Sequence, residues 1–250
     1  DSKNIIFHST PTSKGGVDLL ARVGSPVLKN GSDFLTNSSL LKHMAKTGLP
    51  VVIATGMADE KEIASAVETI KSAGNDKLIV LHCTSAYPTP KEHVNLRKLS
   101  TIANKFGCLT GLSDHSEGTQ AAVGATALGA CWIEKHFTTD KNLPGPDHRF
   151  SCDEKEISEL VKAVRSMETL LGASDLNPAE CEMVGRAQFR LSCASARDLS
   201  AGHVLKEDDV VYRRPATGVS PSDLDLILGK SLVRDIPRFE PLKLEDVCEK

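Results

Sequence analysis

The sequence has 250 residues, of which 40% are hydrophobic and 25% are charged, and its formal net charge is −3. This composition is ordinary for a globular protein with one large domain or two smaller ones. The slight negative charge argues against nucleic acid or an anionic membrane as a partner, and no apolar run approaches the ~20 residues that span a bilayer. Seven scattered cysteines without CxxC spacing indicate free thiols in a reducing cytoplasm.

Short apolar, β-branched runs alternate with helix-like stretches over residues 1–172. Apolar runs without polar alternation are typical of strands buried on both faces of a parallel sheet, and alternating strands and helices predict a β/α fold. The predicted strands lie at 4–10, 26–31, 51–56, 78–83, 108–114 and 130–137. The predicted helices lie at 38–48, at 59–74 with Asp59 as N-cap and Gly74 as stop, at 119–129 and at 153–172.

Six strand–helix units fit a (β/α)8 TIM-type barrel, which has eight units and typically about 250 residues by itself. Because six units are visible and the sequence begins at Asp1 rather than at Met, we expect that two N-terminal βα units are missing and that they would precede Asp1. The sequence therefore predicts a partial TIM-barrel domain at 1–172, a linker with a short helix at 173–186 and a small β-rich domain at 187–250.

The last domain contains an internal repeat. Segments 196–210 and 233–247 align without gaps and share Arg-Asp, Leu-Lys and Asp-Val. The Leu-Lys-x-x-Asp-Val part predicts a short helical turn in each copy. Two copies are too few for a solenoid, so the repeat predicts a compact module of two similar halves.

Polar residues end every predicted strand, and the reactive groups of a β/α barrel collect at those ends. His115 and His136 end consecutive strands, and neighbouring strands lie about 4.8 Å apart. Two imidazoles at equal height can hold one divalent metal ion, Mn²⁺ or Mg²⁺, as a Lewis acid. The alternative is a pair of hydrogen-bonded structural histidines. His82 lies inside an apolar run and is expected to meet a partner in the core.

A lysine and several hydroxyls form a second cluster at the strand ends. An ammonium group with hydroxyl donors suits a phosphate, and Gly31 would let the backbone approach an anion. The alternative is a solvated lysine among ordinary turn residues. Asp147 lies in a loop stiffened by two prolines, where it suits sugar hydroxyls or else caps a turn. The cluster consists of Thr10, Lys29, Ser32, Thr84 and Ser85.

Seven segments resemble, in order and spacing, the sialic acid synthase family, which includes the N-acetylneuraminate, legionaminate and pseudaminate synthases. The resemblance runs from about Ile5 to Val247, and its most specific motifs are HCTSAYPTP and EKHFTTDKNLPGPDH. The C-terminal repeat resembles the antifreeze-like (SAF) domain of these enzymes. The segments are FHSTP (7–11), LKNGSDFLTN (28–37), ATGM (54–57), LHCTSAYPTP (81–90), GLSDH (111–115), EKHFTTDKNLPGPDH (134–148) and YRRP (212–215).

The resemblance implies a synthase that condenses phosphoenolpyruvate with N-acetylmannosamine or a related N-acetylated amino sugar, or its 6-phosphate, and releases phosphate. It also implies a divalent metal ion and a domain-swapped homodimer. In that dimer the small domain of one protomer reaches over the barrel of the other. No nucleic acid and no membrane are expected as partners.

The resemblance also assigns roles to single residues. His115 and His136 correspond to the metal-binding positions, and with Lys29 they are the expected catalytic residues. Thr10, Lys29 and Ser32 match phosphoenolpyruvate-binding positions, and Ser85 stands at one where asparagine is common. The residues expected near the sugar are Asp33, Tyr87, Asp147 and Arg214.

The sequence departs from the family pattern at several points. Phe34 stands where an acidic residue usually helps to hold the sugar, so either Asp33 substitutes or the affinity for sugar is damaged. Ala54 replaces a serine that commonly meets the phosphate, and the first two strands of the family, with a catalytic glutamate, have no counterpart. Phe34 and Ala54 favour one alternative, an impaired member that binds a sugar or anion. A separate alternative is a lyase or aldolase that forms a Schiff base at Lys29.

Overall fold

The structure is a computed structural model that describes residues 5–248. The chain divides into two compact units, with the boundary between Ala173 and Ser174. Across residues 5–248, no helix is long and apolar enough to cross a membrane.

A sheet of five parallel strands forms the first unit, and its strands are ordered as they follow in the chain. The strands are β1 Leu28–Asn30, β2 Val51–Ala54, β3 Leu78–Cys83, β4 Leu109–Asp114 and β5 Ile133–Lys135. The Lys29 ammonium on β1 lies 3.2 Å from the Glu134 carboxylate on β5. Because β1 and β5 are the two outermost strands, this contact requires a sheet that curls until its edges face each other, as in part of a barrel.

Six helices connect or flank these strands. Four of them lie within the stretches predicted from periodicity, whereas α1 and α4 were not predicted. Two glycines in the first turn lower the helix propensity of α1, and the Ser13 hydroxyl compensates by accepting a hydrogen bond from the Gly16 amide. The helices are α1 Lys14–Arg22, α2 Ser38–Lys46, α3 Glu60–Ser72, α4 Lys98–Phe106, α5 Gln120–Ala127 and α6 Glu154–Leu171.

The predicted start and stop of α3 are confirmed. The Asp59 carboxylate accepts a hydrogen bond from the Glu62 amide, and the Glu62 carboxylate accepts one from the Asp59 amide, both at 2.9 Å. This reciprocal capping box satisfies two amides that the helix itself leaves without partners. Gly74 follows the helix at φ +88°, a left-handed conformation that favours glycine.

Alternate residues of the strands enter two different apolar clusters. Leu28, Ile53 and Val80 pack outward against buried side chains of α1, α2 and α3. Val52 and Ala54 belong to a smaller cluster with Leu81 and Cys83. Strands buried on both faces explain why their sequences read as continuous apolar runs.

The prediction of a strand at 4–10 is wrong for the described part, residues 5–10, which has no regular secondary structure; Asn4 lies outside the described residues. Ile5, Ile6 and Phe7 are each at least 75% exposed. A β-branched run forms a strand only where a neighbouring strand pairs with its backbone. In the described structure β1 pairs with β2, and residues 5–10 are in no strand.

The second unit has short antiparallel pairs of strands. Its helix is α7 Met183–Phe189, and its strands are β6 Ser192–Ser195, β7 Val210–Arg213, β8 Ser231–Leu232 and β9 Val247–Cys248. Strand β6 pairs with β7, and β8 pairs with β9. They enclose a small apolar core that includes Leu205, Ile227, Ile236 and Leu242.

The internal repeat is visible in this unit as two equivalent ion pairs. The predicted helical turns are confirmed as 3₁₀ turns at Glu207–Asp209 and Leu244–Asp246. The buried carboxylate of Asp209 lies 2.7 Å from Arg197, and that of Asp246 lies 2.7 Å from Arg234. Each carboxylate also accepts a hydrogen bond from the amide three residues earlier. Equivalent contacts therefore hold the 3₁₀ turn in both copies of the repeat.

We expect the Asp209→Asn variant to lose stability in a pH-dependent manner. Burial alone would raise the pKa of Asp209, but the hydrogen bonds from His203 and Arg197 outweigh it and lower the pKa. The carboxylate therefore contributes stability above the unfolded pKa of about 3.9, and this contribution is lost as pH falls through the lower, folded pKa. Thermal unfolding at pH 7 should show a deficit of about 1–3 kcal/mol.

The deficit should shrink as the pH falls below about 4. Asp208→Asn is the matched control, since Asp208 is exposed on the same turn. Equal effects of the two variants would contradict the assignment.

Candidate active site

The carboxyl ends of β4 and β5 bring together three successive pairs of residues. The register pairs Ser113 with Glu134 and Asp114 with Lys135, and His115 and His136 follow directly. Successive side chains of a strand point to opposite faces. The first pair faces the interior of the curled sheet, because Ser113 donates to the Glu134 carboxylate at 2.6 Å and Lys29 reaches the same oxygen.

The two histidines are neighbours, with ring centroids 5.1 Å apart. His115 is 8% exposed, and its Nδ1 lies 2.9 Å from the carbonyl oxygen of Thr84. The Tyr87 ring lies 4.2 Å from His115 and 5.7 Å from His136. The Thr84 carbonyl orients the His115 ring by one nitrogen and so leaves Nε2 for another partner.

The surroundings shift the pKa values of the two imidazoles in opposite directions. Burial lowers the pKa of His136, and the neighbouring His115 lowers it further. Burial also acts to lower the pKa of His115, but contacts with the Cys83 thiol and the Thr84 carbonyl outweigh it and raise the pKa.

The donor set around the two histidines fits a divalent cation. Two adjacent imidazole nitrogens suit Mn²⁺ and similar ions when further positions are filled by water or substrate oxygens. Within residues 5–248, no group of three or more His, Cys, Asp and Glu side chains is arranged to hold a metal ion. A metal ion at His115 and His136 would take these two imidazoles as its ligands.

Cys83 connects the histidines to a group of hydroxyls. Its thiol lies 3.6 Å from the Ser32 hydroxyl, 4.0 Å from that of Ser85 and 3.9 Å from Nδ1 of His115. Burial acts to raise the pKa of Cys83, but hydrogen bonds with His115 and Ser32 outweigh it and lower the pKa. The Gly56 amide donates to the Ser32 hydroxyl at 2.9 Å, so Gly56 lies beside the hydroxyls of Ser32 and Ser85.

Tyr87, Asp147 and Phe150 surround the exposed side of the histidine pair. Asp147 lies 3.8 Å from Nδ1 of His136, and its side chain is 54% exposed. The Phe150 ring lies 5.3 Å from His136 and 5.7 Å from Tyr87. Burial raises the pKa of Tyr87, and the nearby charges of Asp147 and Asp33 add to this effect.

Three further residues predicted at the site are Thr10, Thr84 and Arg214, and each has its own surroundings in the structure. Thr10 is exposed in the segment before α1, and the Thr84 hydroxyl donates to the carbonyl oxygen of His93. Arg214 belongs to the second unit, where its guanidinium lies 5.9 Å from the Phe189 ring. The expectation that His82 meets a core partner is confirmed, because its Nε2 lies 2.6 Å from the carbonyl oxygen of Val94.

The structure shows what surrounds the residues that depart from the family pattern. Phe34 packs against the main apolar cluster, so its ring contributes to the core. Asp33 is exposed and close enough to influence Tyr87. Ala54 is buried in the cluster that contains Cys83.

Sequence reasoning gave no role in the site to Ser113, Glu134, Cys83 and Gly56. The spacing of Ser113 and Glu134 is the same as that of the two histidines, two residues later. That equality was the available signal, because in-register parallel strands bring residues of equal offset side by side. No comparable signal identified Gly56, which requires the fold to place it against Ser32.

The chain belongs to the NeuB family, whose sequence profile matches residues 1–175. A SAF domain matches residues 192–247. The fold and the family therefore agree on a β/α barrel unit followed by a SAF unit.

Several similar proteins bear the name of a synthase or synthetase. The N,N'-diacetyllegionaminic acid synthase of Legionella pneumophila is 40% identical over 99% of this chain and 70% of its own length. The pseudaminic acid synthase of Campylobacter jejuni is 36% identical over 98% of this chain and 71% of its own length. The crystal structure of the N-acetylneuraminic acid synthetase from Leptospira borgpetersenii, in complex with citrate, is 35% identical, has a TM-score of 0.69 and covers 74% of this chain; 64% of that chain is covered in turn.

Proposed function

We propose that this protein condenses phosphoenolpyruvate and one water molecule with an N-acetylated amino sugar to a sialic-acid-type nine-carbon acid and releases phosphate. The observation that supports this most directly is the adjacency of two imidazoles, 5.1 Å apart, to the network of Lys29, Glu134 and Ser113. The similar synthases support the same reaction class. The dimer expected from the resemblance stays a prediction, which the molecular mass in solution tests.

Lys29 and the hydroxyls around Gly56 are assigned to the phosphate of phosphoenolpyruvate. Lys29 supplies a cation whose side chain is 11% exposed. Ser32 and Ser85 supply hydroxyls, and both lie so near Gly56 that a Cβ there would meet them at 2.8 and 2.1 Å. An anion binds well where a cation and hydroxyl groups lie beside a glycine, because a residue without a side chain lets the backbone come close to the anion.

The sugar is assigned to the side of the histidine pair that Tyr87 and Asp147 border. His115 and His136 would hold a divalent cation, which when bound supplies Lewis-acid polarisation of the sugar carbonyl. Tyr87 presents an aromatic face, and Asp147 accepts hydrogen bonds from sugar hydroxyls. Asp33 adds a second carboxylate near Tyr87. Holding both substrates in one pocket lets the enol carbon meet the carbonyl at short range.

The decisive experiment measures inorganic phosphate release from phosphoenolpyruvate with Mn²⁺ and each of several N-acetylated amino sugars, including N-acetylmannosamine and diacetamido sugars. Release that needs both the sugar and the metal is the expected result, and mass spectrometry of the product then identifies the sugar. Tight binding of either substrate without phosphate release would instead indicate an impaired member that only binds.

We expect the Gly56→Ala variant to raise KM for phosphoenolpyruvate by at least ~10-fold, because the new methyl group displaces the Ser32 and Ser85 hydroxyls that the phosphate needs. Gly15→Ala is the matched control, since a Cβ there meets nothing within 4 Å. Steady-state phosphate release at varied phosphoenolpyruvate checks both variants. An unchanged KM in Gly56→Ala would remove these hydroxyls from the phosphate site.

A further inference from the structure

A buried ion pair joins the carboxyl ends of β4 and β5. Along the strands it lies between the Ser113–Glu134 pair and the two histidines. The Lys135 ammonium is 2.8 Å from the Asp114 carboxylate, and their side chains are 4% and 1% exposed. Lys135 also donates to the carbonyl oxygens of Ser116 and, at 3.1 Å, of Gly118. The side chains point away from the face that carries Ser113 and Glu134, because strand residues alternate.

The Asp114 carboxylate is satisfied by the same turn. Its second oxygen accepts hydrogen bonds from the amide of Ser116 at 2.9 Å and from the Ser116 hydroxyl at 2.6 Å. His115 lies between Asp114 and Ser116, so both ends of the segment that carries His115 are tied to the ion pair. Lys135 directly precedes His136 on the neighbouring strand, so the same pair also holds the backbone of the second histidine.

Stability alone does not account for such a pair. Replacing a buried ion pair by neutral groups of similar volume is often neutral or stabilising, whereas buried pairs can specify one register among several. Register matters here, because a slip by one residue turns every side chain of a strand to the other face. A slipped β5 would carry His136 away from His115.

We propose that Asp114 and Lys135 form a positioning pair that sets the register of β4 against β5 and thereby the spacing of the two metal-binding histidines. This inference rests on the proposed metal site at His115 and His136. Neither residue touches the reacting atoms; both act through the backbone of the residue that follows them.

The test compares Mn²⁺ affinity with thermal stability in three variants: Asp114→Asn, Lys135→Met and the double variant. The single variants leave one buried charge without its counter-charge and lower Tm. The double variant leaves none and regains Tm, but it lacks the ionic tie that selects the register. Its Mn²⁺ affinity, measured by electron paramagnetic resonance, should stay ~10–100-fold below wild type, as for other changes around metal ligands.

Asp246→Asn is the control for Asp114→Asn, because it removes a buried carboxylate that is paired with a cation in the second unit, where the Asp246 side chain is 3% exposed. It should lower Tm and leave Mn²⁺ affinity unchanged. Equal losses of affinity in Asp114→Asn and Asp246→Asn would overturn the inference, as would wild-type affinity in the double variant. A wild-type protein that binds no Mn²⁺ would refute the proposed metal site itself, and the positioning role with it.

Discussion

Replacing His136 by alanine should reduce kcat/KM for phosphate release by roughly 10³-fold or more and abolish its dependence on Mn²⁺. The variant removes one of two imidazoles whose rings lie 5.1 Å apart. A single remaining imidazole holds a divalent cation weakly, so the polarisation of the sugar carbonyl is lost. Because polarisation by a metal contributes several kcal/mol to transition-state stabilisation, the effect should fall on kcat as well as on KM.

His43→Ala is the matched control, since His43 pairs with Asp18 at the surface of α1 and α2. It should leave both activity and Mn²⁺ binding at wild-type values. Direct Mn²⁺ titration separates loss of metal from loss of folding in His136→Ala. Undiminished activity in this variant would refute the metal assignment and leave His136 a structural residue.

Replacing Lys29 by methionine should lower kcat/KM for phosphoenolpyruvate by roughly 10²–10³-fold. The ammonium is the cation assigned to the phosphate, and it also neutralises Glu134 at 3.2 Å. Without it, the Glu134 carboxylate faces the anion pocket unpaired and repels the substrate. The rise in KM for phosphoenolpyruvate should therefore be much larger than that for the sugar.

The double variant Lys29→Met/Glu134→Gln distinguishes charge repulsion from lost binding. Removing the carboxylate charge should restore part of the affinity for phosphoenolpyruvate, but not the wild-type rate. Lys42→Met, at an exposed position of α2, controls for the loss of one positive charge. A KM unchanged in Lys29→Met would exclude the phosphate role, and borohydride trapping of a substrate adduct on wild-type Lys29 would favour the Schiff-base alternative.

Much of the fold was predictable because it depends on local patterns. Strands β1 to β5 each lie inside a predicted apolar run, and the capping box of α3 involves only residues 59–62. The failures were also local in origin. The segment at 5–10 has strand propensity without a pairing partner in the described structure, and α1 has two glycines in its first turn that mask its helical tendency.

The site was predictable only in part. His115 and His136 were identified because equal positions at the ends of consecutive parallel strands are readable from spacing. The sequence does not predict which partner each hydroxyl meets. The Ser32 hydroxyl turns toward Cys83, whereas the Thr84 hydroxyl donates to the carbonyl oxygen of His93. Side-chain rotamers depend on neighbours that are distant in sequence, and spacing carries no information on them.

The sequence by itself determined the family, the order of strands and helices, the repeat in the second unit and the two histidines at neighbouring strand ends. These features follow from periodicity, capping and motif spacing, which act over a few residues. Only the tertiary structure decided that Glu134 meets Lys29 across the curled sheet and that Asp114 and Lys135 form a buried pair beneath the histidines. Both contacts depend on sheet curvature and register, which arise when distant strands pair and pack together.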